Sequence, residues 1–143
     1  LGTSKWDPLY HDILKETLLN FPRPFFVSNP DIVAPHPHSF SIEPAFYALH
    51  LINDGVNLPI WFGKPFPQIF DMAIERSENI NGRSVNLSRV GMVGDTLHTD
   101  ILGANAYGIK SILMTNHGLF KNEKISEMIK ISKIIPDFIV EGP

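Results

Sequence analysis

The chain has 143 residues, of which 43% are apolar, and this fits one globular domain, or one and a fraction, with a hydrophobic core. Its formal net charge of −3 and its scattered lysines and arginines argue against a nucleic-acid partner. The absence of cysteine excludes disulfides and thiolate metal sites and favours a cytoplasmic location, and no apolar run reaches the roughly 20 residues of a membrane span.

The first part of the chain, up to about residue 57, is irregular and rich in proline. Between residues 6 and 20, apolar residues recur at helical spacing after an Asp-Pro pair that suits the start of a helix. A short strand is predicted at 25–27, a loop at 36–41 and a second helix at 43–53.

After residue 57, predicted strands and helices alternate regularly. Helices are expected at 64–77 and 122–131, with a polar connection at 79–88 between the first helix and the next strand. Alternation of this kind predicts an α/β fold with a parallel, Rossmann-like sheet. That sheet is expected to contain the strands at 59–62, 90–94, 111–115 and 137–140.

The stretch 89–108 has the clearest organisation. A short apolar strand ends at Gly94, which lets the backbone turn, and Asp95 follows in the loop at the strand's carboxyl end. Thr99 is a plausible N-cap of the next helix, with Asp100 in its first turn, and Gly108 suits the position after its last turn. The stretch therefore predicts a βαβ unit with two carboxylates where open sheets bind ligands.

Asp95 and Asp100 are candidate ligands for a hard divalent cation. Such ions prefer carboxylate and water oxygens, and carboxylates at a strand end and at the following helix start can share an ion or its waters. The alternative is that Asp100 only complements the helix dipole and Asp95 only shapes a turn.

Lys64 is the third candidate, because it follows a predicted strand and precedes a helix. An ammonium beside free amides of a helix start can bind phosphate, although a solvated lysine is the simpler interpretation of a lone Gly-Lys-Pro. Since Lys64 and Asp95 occupy equivalent places in two strand-helix units, they are expected to converge on one cleft. Asn29 and Asp31 are further candidates for phosphate contacts, or turn formers only, and His98 reads as a solvated loop residue.

At these residues the sequence resembles the haloacid-dehalogenase-like (HAD) hydrolase superfamily. Within it, the chain is similar to the class IIA phosphatases, which include nitrophenyl- and sugar-phosphate phosphatases. The segments that carry the resemblance are Ser28-Asn-Pro-Asp31, Gly63-Lys-Pro-Phe-Pro-Gln-Ile-Phe70 and Val93-Gly-Asp-Thr-Leu-His-Thr-Asp-Ile-Leu-Gly-Ala-Asn-Ala-Tyr-Gly-Ile109.

The resemblance implies a magnesium-dependent phosphatase that works through an aspartyl-phosphate. Asp95 matches the Mg²⁺ ligand of such enzymes, and Asp100 matches the second acidic residue, which supports the metal and its waters. Lys64 matches the lysine that holds the nucleophile and the phosphoryl group. Residues 1–57 are expected to be the end of the cap domain, and residues 58–143 the second half of the catalytic core.

The family's nucleophile lies in an Asp-x-Asp motif after an early strand, and this sequence contains no such motif. We therefore expect the chain to be the carboxyl-terminal part of a longer protein and to be inactive alone. The absent strands would leave an apolar sheet edge open, to be covered by the missing segment or by a second copy. The substrate implied is a small phosphorylated metabolite.

Two other functions stay open at this point. The chain could be a non-catalytic α/β module that uses the same fold to bind an anion or a partner. A receiver domain of the response-regulator type also carries acidic residues at strand ends. The order of Lys64 and Asp95 and the lack of an early acidic pair disfavour that interpretation.

Overall fold

A computed structural model describes residues 6–36, 39–116, 118, 121 and 124–142. The chain divides into two compact units between Phe62 and Gly63. The assignment of these parts to a cap and a core stays a prediction. His38 and His117, for which no role was predicted, and the predicted helix start at Asn122 lie outside the described residues. No helix within the described ranges is long and apolar enough to cross a membrane.

The first unit contains two helices, α1 (Pro8–Asn20) and α2 (Pro44–Asn53). The predicted start of α1 is confirmed, since the Asp7 carboxylate accepts a hydrogen bond from the Leu9 N–H at 2.8 Å. The core of this unit joins both helices to the segments that follow them. It consists of Leu18, Leu51 and Val56, with Leu14 and Phe25 packed around them.

Four short strands complete the first unit: β1 (Phe26–Val27), β2 (Val33–Pro35), β3 (Phe40–Ile42) and β4 (Ile60–Trp61). Strands β2 and β3 form an antiparallel hairpin within a region expected to be irregular. The predicted loop at 36–41 is therefore only partly correct, because strand β3 begins inside it. Strands of three residues are too short for an alternating pattern to reveal them, and β2 also contains a proline.

The prediction that the strand at 59–62 belongs to the sheet of the later strands is wrong. Strand β4 instead pairs in parallel with β1, with Phe26 opposite Ile60 and Val27 opposite Trp61. A short apolar run indicates a buried parallel strand, but nothing in its composition identifies its partner.

The second unit contains a parallel sheet of β5 (Gly91–Gly94), β6 (Lys110–Met114) and β7 (Phe138–Val140), in that order. Met92 lies opposite Ser111, and Leu113 lies opposite Ile139. The other three strands of the predicted sheet are thus confirmed, as is the α/β class.

Three helices surround this sheet: α3 (Pro67–Asn81), α4 (Leu102–Tyr107) and α5 (Ile125–Ser132). Helix α3 starts later than predicted, because Pro67 occupies its first turn, and it continues through residues expected to be a loop. It ends at Gly82, whose φ of 64° lies in the left-handed region. The predicted terminal role of Gly108, with φ of 82°, is confirmed for α4.

The core of the second unit lies between the sheet and these helices. Leu113 packs against Leu97 and Ile101, together with half-buried apolar side chains that include Ile125 and Met128 of α5. A second cluster joins α3, α4 and the sheet, and contains Phe70, Ala104 and Ile109 with Val90, Met92 and Tyr107 around them. This packing holds the loop after β5 between the sheet and α4.

Candidate active site

The candidate site is built on the loop that follows β5. Residues Leu97–Ile101 form a single π-helical turn that leads directly into α4. The N–H groups of Asp100 and Ile101 both donate to the Thr96 carbonyl, at 3.1 and 3.2 Å. The prediction that Thr99 is the N-cap is wrong, because Thr99 lies buried inside this turn. The helical backbone begins earlier than the capping residue types suggested.

Asp100 is the central residue of this loop. Its side chain is only 3% exposed, and its Oδ2 accepts hydrogen bonds from the N–H groups of Asp95 at 3.1 Å and Thr96 at 3.2 Å. These N–H groups stand at the start of the helical turn, where a carboxylate is favoured by both hydrogen bonding and the helix dipole. Asp100 therefore holds the backbone at Asp95 in place.

Lys64 meets Asp100 from the other side. Its Nζ lies 2.5 Å from Asp100 Oδ1, and its side chain is 41% exposed. A carboxylate buried to this degree needs a compensating charge, since an unpaired one carries a large desolvation cost. In the second unit the Asp100 carboxylate thus links Lys64 to the Asp95 backbone. The predicted convergence of the Lys64 and Asp95 side chains on one cleft stays a prediction.

Asp95 carries the more accessible carboxylate of the pair. It is half-buried, and its Oδ1 accepts a hydrogen bond from the Thr96 hydroxyl at 3.2 Å. Gly118 lies against the same carboxylate, so that a Cβ atom at Gly118 would overlap it. Sequence reasoning missed Thr96 and Gly118. A hydroxyl beside Asp95 was a usable signal, whereas a glycine after β6 gave none.

Gly94 is required for a different reason from the predicted one. A Cβ atom at Gly94 would overlap the carboxylate of Asp100. The glycine thus leaves the space into which Asp100 reaches to contact the loop N–H groups. This requirement comes from a side chain six residues later, so it could not be inferred from the strand itself.

Asn29 and Asp31 lie in the first unit, on the segment between β1 and β2. Asn29 Oδ1 accepts a hydrogen bond from the Asp31 N–H at 3.0 Å, and Asn29 Nδ2 donates to Glu43 Oε2 at 3.1 Å. These contacts make Asn29 a turn former that also ties the segment to the start of α2. Their role in phosphate binding stays a prediction.

The candidate metal ligands of the site are oxygen donors. Within the part of the chain that the structure describes, no group of three histidine, cysteine, aspartate or glutamate side chains could hold a metal. His98 is exposed on the π-helical turn. Mg²⁺ is commonly held by one or two carboxylates, with waters and substrate oxygens as its other ligands. Asp95 and Asp100 fit that requirement as oxygen donors, and Asp95 is the one less engaged by other groups.

Comparison with known protein families agrees with this geometry. A family model described as HAD-hydrolase-like matches residues 61–142, which cover the second unit and the end of β4. The chain belongs to this family. The membership predicted from the sequence is therefore confirmed, and it covers every residue of the site in the second unit.

Several relatives that the chain resembles are named as phosphatases. The human glycerol-3-phosphate phosphatase is 36% identical over 84 residues, which are 56% of this chain and 24% of that protein. A possible sugar phosphatase of the HAD superfamily from Cytophaga hutchinsonii has a TM-score of 0.75 and 29% identity, over 98% of this chain and 49% of that structure. A 4-nitrophenylphosphatase from Thermotoga maritima has a TM-score of 0.78 and 24% identity, over 99% and 51%.

These matches establish the fold of the chain as that of the HAD phosphatases. The solved structures agree with the class IIA branch that the sequence resembles. The chain spans about half the length of these structures.

Proposed function

We propose that this chain supplies the phosphate- and metal-holding part of a magnesium-dependent HAD phosphatase that hydrolyses a small phosphate monoester. The observation that carries the proposal is the link through Asp100, which joins the Lys64 ammonium to the loop that bears Asp95. The phosphatases among its relatives support the reaction class.

Each of the three residues has a distinct task in this proposal. Asp95 offers a carboxylate oxygen for Mg²⁺. Asp100 orients Asp95 through the backbone and holds Lys64 in place. The Lys64 ammonium is exposed enough to contact a phosphoryl oxygen or the attacking carboxylate. When bound, Mg²⁺ would neutralise negative charge on the phosphate oxygens.

The attacking aspartate comes, in this proposal, from a segment outside the given sequence. No aspartate in the sequence is followed by a second one two residues later, as the resemblance requires. An aspartate oxygen would attack phosphorus as the ester P–O bond breaks, and the leaving oxygen would take up a proton to become the alcohol. Water would then lose a proton and attack phosphorus, which breaks the aspartyl P–O bond and releases inorganic phosphate and the free aspartate.

The same segment is our proposed cover for the open side of the sheet. Among the described strands, β5 pairs only with β6, so its other edge is unpaired. An additional strand on this edge would sit beside Asp95, where a nucleophile is needed.

The predicted cytoplasmic location stays a prediction.

The first test measures Mg²⁺ binding to the 143-residue chain by following the backbone amides of residues 94–100 by NMR. We expect saturable shifts in the parent chain and at least tenfold weaker binding in Asp95→Asn. Asp71→Asn makes the same chemical change on α3, where the carboxylate contacts Tyr107, and is expected to bind like the parent. Equal affinity in all three proteins would contradict the assignment of Asp95.

The second test concerns turnover of 4-nitrophenyl phosphate. The chain alone is expected to be inactive, and a longer chain that includes an upstream Asp-x-Asp segment is expected to be active. Lys64→Met in the longer chain should lower kcat by about 100-fold or more, as for other groups that stabilise developing charge. Turnover by the pure 143-residue chain that Asp95→Asn abolishes would show that the nucleophile lies within it.

The non-catalytic alternative is distinguished by the same experiments. A binding module would show no turnover in the longer chain, whatever lies upstream.

A further inference from the structure

A cavity lies at the start of β5, in the loop 82–90 that connects α3 to this strand. Its volume is about 340 Å³, and its lining includes Arg83, Ser84, Asn86 and Arg89. The loop enters β5 at one end of the strand, and Asp95 leaves it at the other. A four-residue strand is roughly 13 Å long, so the cavity is separate from the candidate active site.

Two arginines give this cavity its charge. Arg83 and Arg89 both line this cavity. Neither forms an ion pair, and nor does any other arginine within the described ranges. The nearby carboxylate of Glu78 is half-buried and accepts a hydrogen bond from the Val85 N–H at 2.9 Å. Glu78 therefore stabilises the loop without pairing with either guanidinium.

The loop also presents uncharged donors. In the described part of the chain, the N–H groups of Arg83, Ser84 and Asn86 donate to no protein acceptor, and neither does the Ser84 hydroxyl. By contrast, the Asn86 side-chain oxygen is occupied by the N–H and hydroxyl of Ser88, at 3.0 and 2.8 Å. The cavity thus combines two guanidinium groups with several free N–H and O–H donors.

We propose that this cavity binds a phosphate group through Arg83, Arg89, the Ser84 hydroxyl and the free N–H groups of the loop. Guanidinium groups match the geometry of phosphate oxygens, and clustered backbone N–H groups form anion-binding concavities. A phosphate group offers more acceptor oxygens than a carboxylate, so it can use more of these donors at once. The proposal does not depend on the function of the candidate active site.

The test is a titration of the 143-residue chain with inorganic phosphate at constant ionic strength, observed through the backbone amides of residues 82–90 by NMR. A parallel titration with glycerol 3-phosphate distinguishes a free phosphate ion from a phosphorylated metabolite as the preferred ligand. We expect saturable shifts in this loop. Affinity should fall at least tenfold in the double variant Arg83→Gln with Arg89→Gln, since each hydrogen bond to a charged group contributes strongly.

A control variant locates the binding. Arg76→Gln removes an arginine from α3 that lies outside this cavity, and it is expected to keep the shifts at residues 82–90. If the double variant does not fold, Arg89→Lys serves in its place, because it keeps the charge and loses the paired donors, and it should bind several-fold more weakly.

Three results would overturn the proposal. These are equal phosphate affinity in the parent and in the arginine variants, shifts confined to residues 94–100, and equal shifts when chloride replaces phosphate at the same ionic strength. Tighter binding of glycerol 3-phosphate than of inorganic phosphate would identify a metabolite as the ligand. The reverse order would identify the free ion.

Discussion

Asp100 is the residue on which the geometry of the candidate site depends. Its side chain is almost completely buried, and both of its oxygens accept hydrogen bonds. One accepts from two backbone N–H groups and the other from the Lys64 ammonium. Charged hydrogen bonds of this kind offset the cost of removing the carboxylate from water. A buried charge satisfied in this way positions the exposed groups around it.

Gly94→Ala tests the space that Asp100 needs. The new Cβ atom would overlap the Asp100 carboxylate, so either the side chain or the loop must move. We expect a loss of about 1–3 kcal/mol in the free energy of unfolding, the usual cost of overpacking, together with weaker Mg²⁺ binding. Urea denaturation and the NMR titration described above measure the two effects.

Gly91→Ala is the matched control on the same strand. Its Cβ atom would meet the tip of the Ile112 side chain at 3.1 Å, and that tip can rotate away. A smaller loss of stability with unchanged Mg²⁺ binding is therefore expected. Equal effects of the two substitutions would mean that Gly94 serves the strand and not Asp100.

The chemical groups of the candidate site were predictable from the sequence, but the contacts that support them were not. Lys64 and Asp95 stand out because each follows a predicted strand at the end where open α/β sheets bind ligands, and Asp100 because it begins the next helix. The contacts of Thr96, Gly94 and Gly118 depend on where the π-helical turn carries the chain. Thr99 shows the limit of capping rules, since its residue type suits a cap and its position is buried.

Among the elements, the joint between β6 and β7 depends on Asp137. Its carboxylate accepts a hydrogen bond from the Ser111 N–H at 2.9 Å and one from Lys110 Nζ at 3.0 Å, and its own N–H donates to the Ser111 hydroxyl at 2.9 Å. The Ser111 N–H, and after it Lys110, lower the pKa of Asp137 below its ordinary value. The ionised form of Asp137 therefore favours the folded state.

Asp137→Asn should change how stability depends on pH. Because the pKa is lower in the folded state, the contribution of Asp137 is present above its unfolded pKa of about 3.9 and is lost as the pH falls through the folded pKa. The variant should therefore be less stable than the parent at neutral pH, and the difference should shrink below about pH 4. Urea unfolding midpoints from neutral to acidic pH measure this.

Asp12→Asn provides the control for removal of one carboxylate. Asp12 lies exposed on α1 and contacts Lys15 at 3.4 Å. Surface ion pairs of this kind contribute little, so this variant should follow the parent curve. A constant difference between Asp137→Asn and the parent at all pH values would contradict the proposed role of the ionised group.

The close contact between α3 and α4 depends on Gly103. A Cβ atom there would lie 2.7 Å from Phe70 Cζ and 3.0 Å from Pro65 Cα. Because these neighbouring atoms would have to move, we expect Gly103→Ala to lower the free energy of unfolding by about 1–3 kcal/mol. Thermal unfolding measures the loss.

A second substitution separates this contact from a general effect on the helix. Phe70→Leu shortens the side chain that the new methyl group would meet, so the double variant should lose less stability than the sum of the single variants. Additive losses would show that Phe70 is not the group that Gly103 accommodates.

For the whole molecule, the exposed face of the parallel sheet is the feature with the largest consequence. Val93, Ile112 and Phe138 lie side by side in register, on the face opposite Leu113. Val93 and Phe138 are 53% and 55% exposed. Contiguous apolar surface beside an unpaired strand edge favours association or aggregation.

We expect the 143-residue chain alone to self-associate as its concentration rises, and Val93→Thr with Phe138→Thr to reduce this. Threonine keeps the β-branched shape suited to a strand while adding a hydroxyl. Analytical ultracentrifugation measures the change. Ile131→Thr, on the exposed surface of α5, is the control and should leave association unchanged. A parent chain that remains a monomer and melts cooperatively would contradict the expectation.

The α/β class and the family could be predicted from the sequence, and so could the three charged residues of the candidate site. These follow from local information: apolar periodicity, glycine positions, and charged side chains at strand ends. The folded structure was needed to show that β4 pairs with β1, that β2 and β3 form a hairpin, and that Asp100 holds the Asp95 loop. Strand pairing and side-chain contact join residues far apart in the chain, and no local pattern specifies which partner will be near.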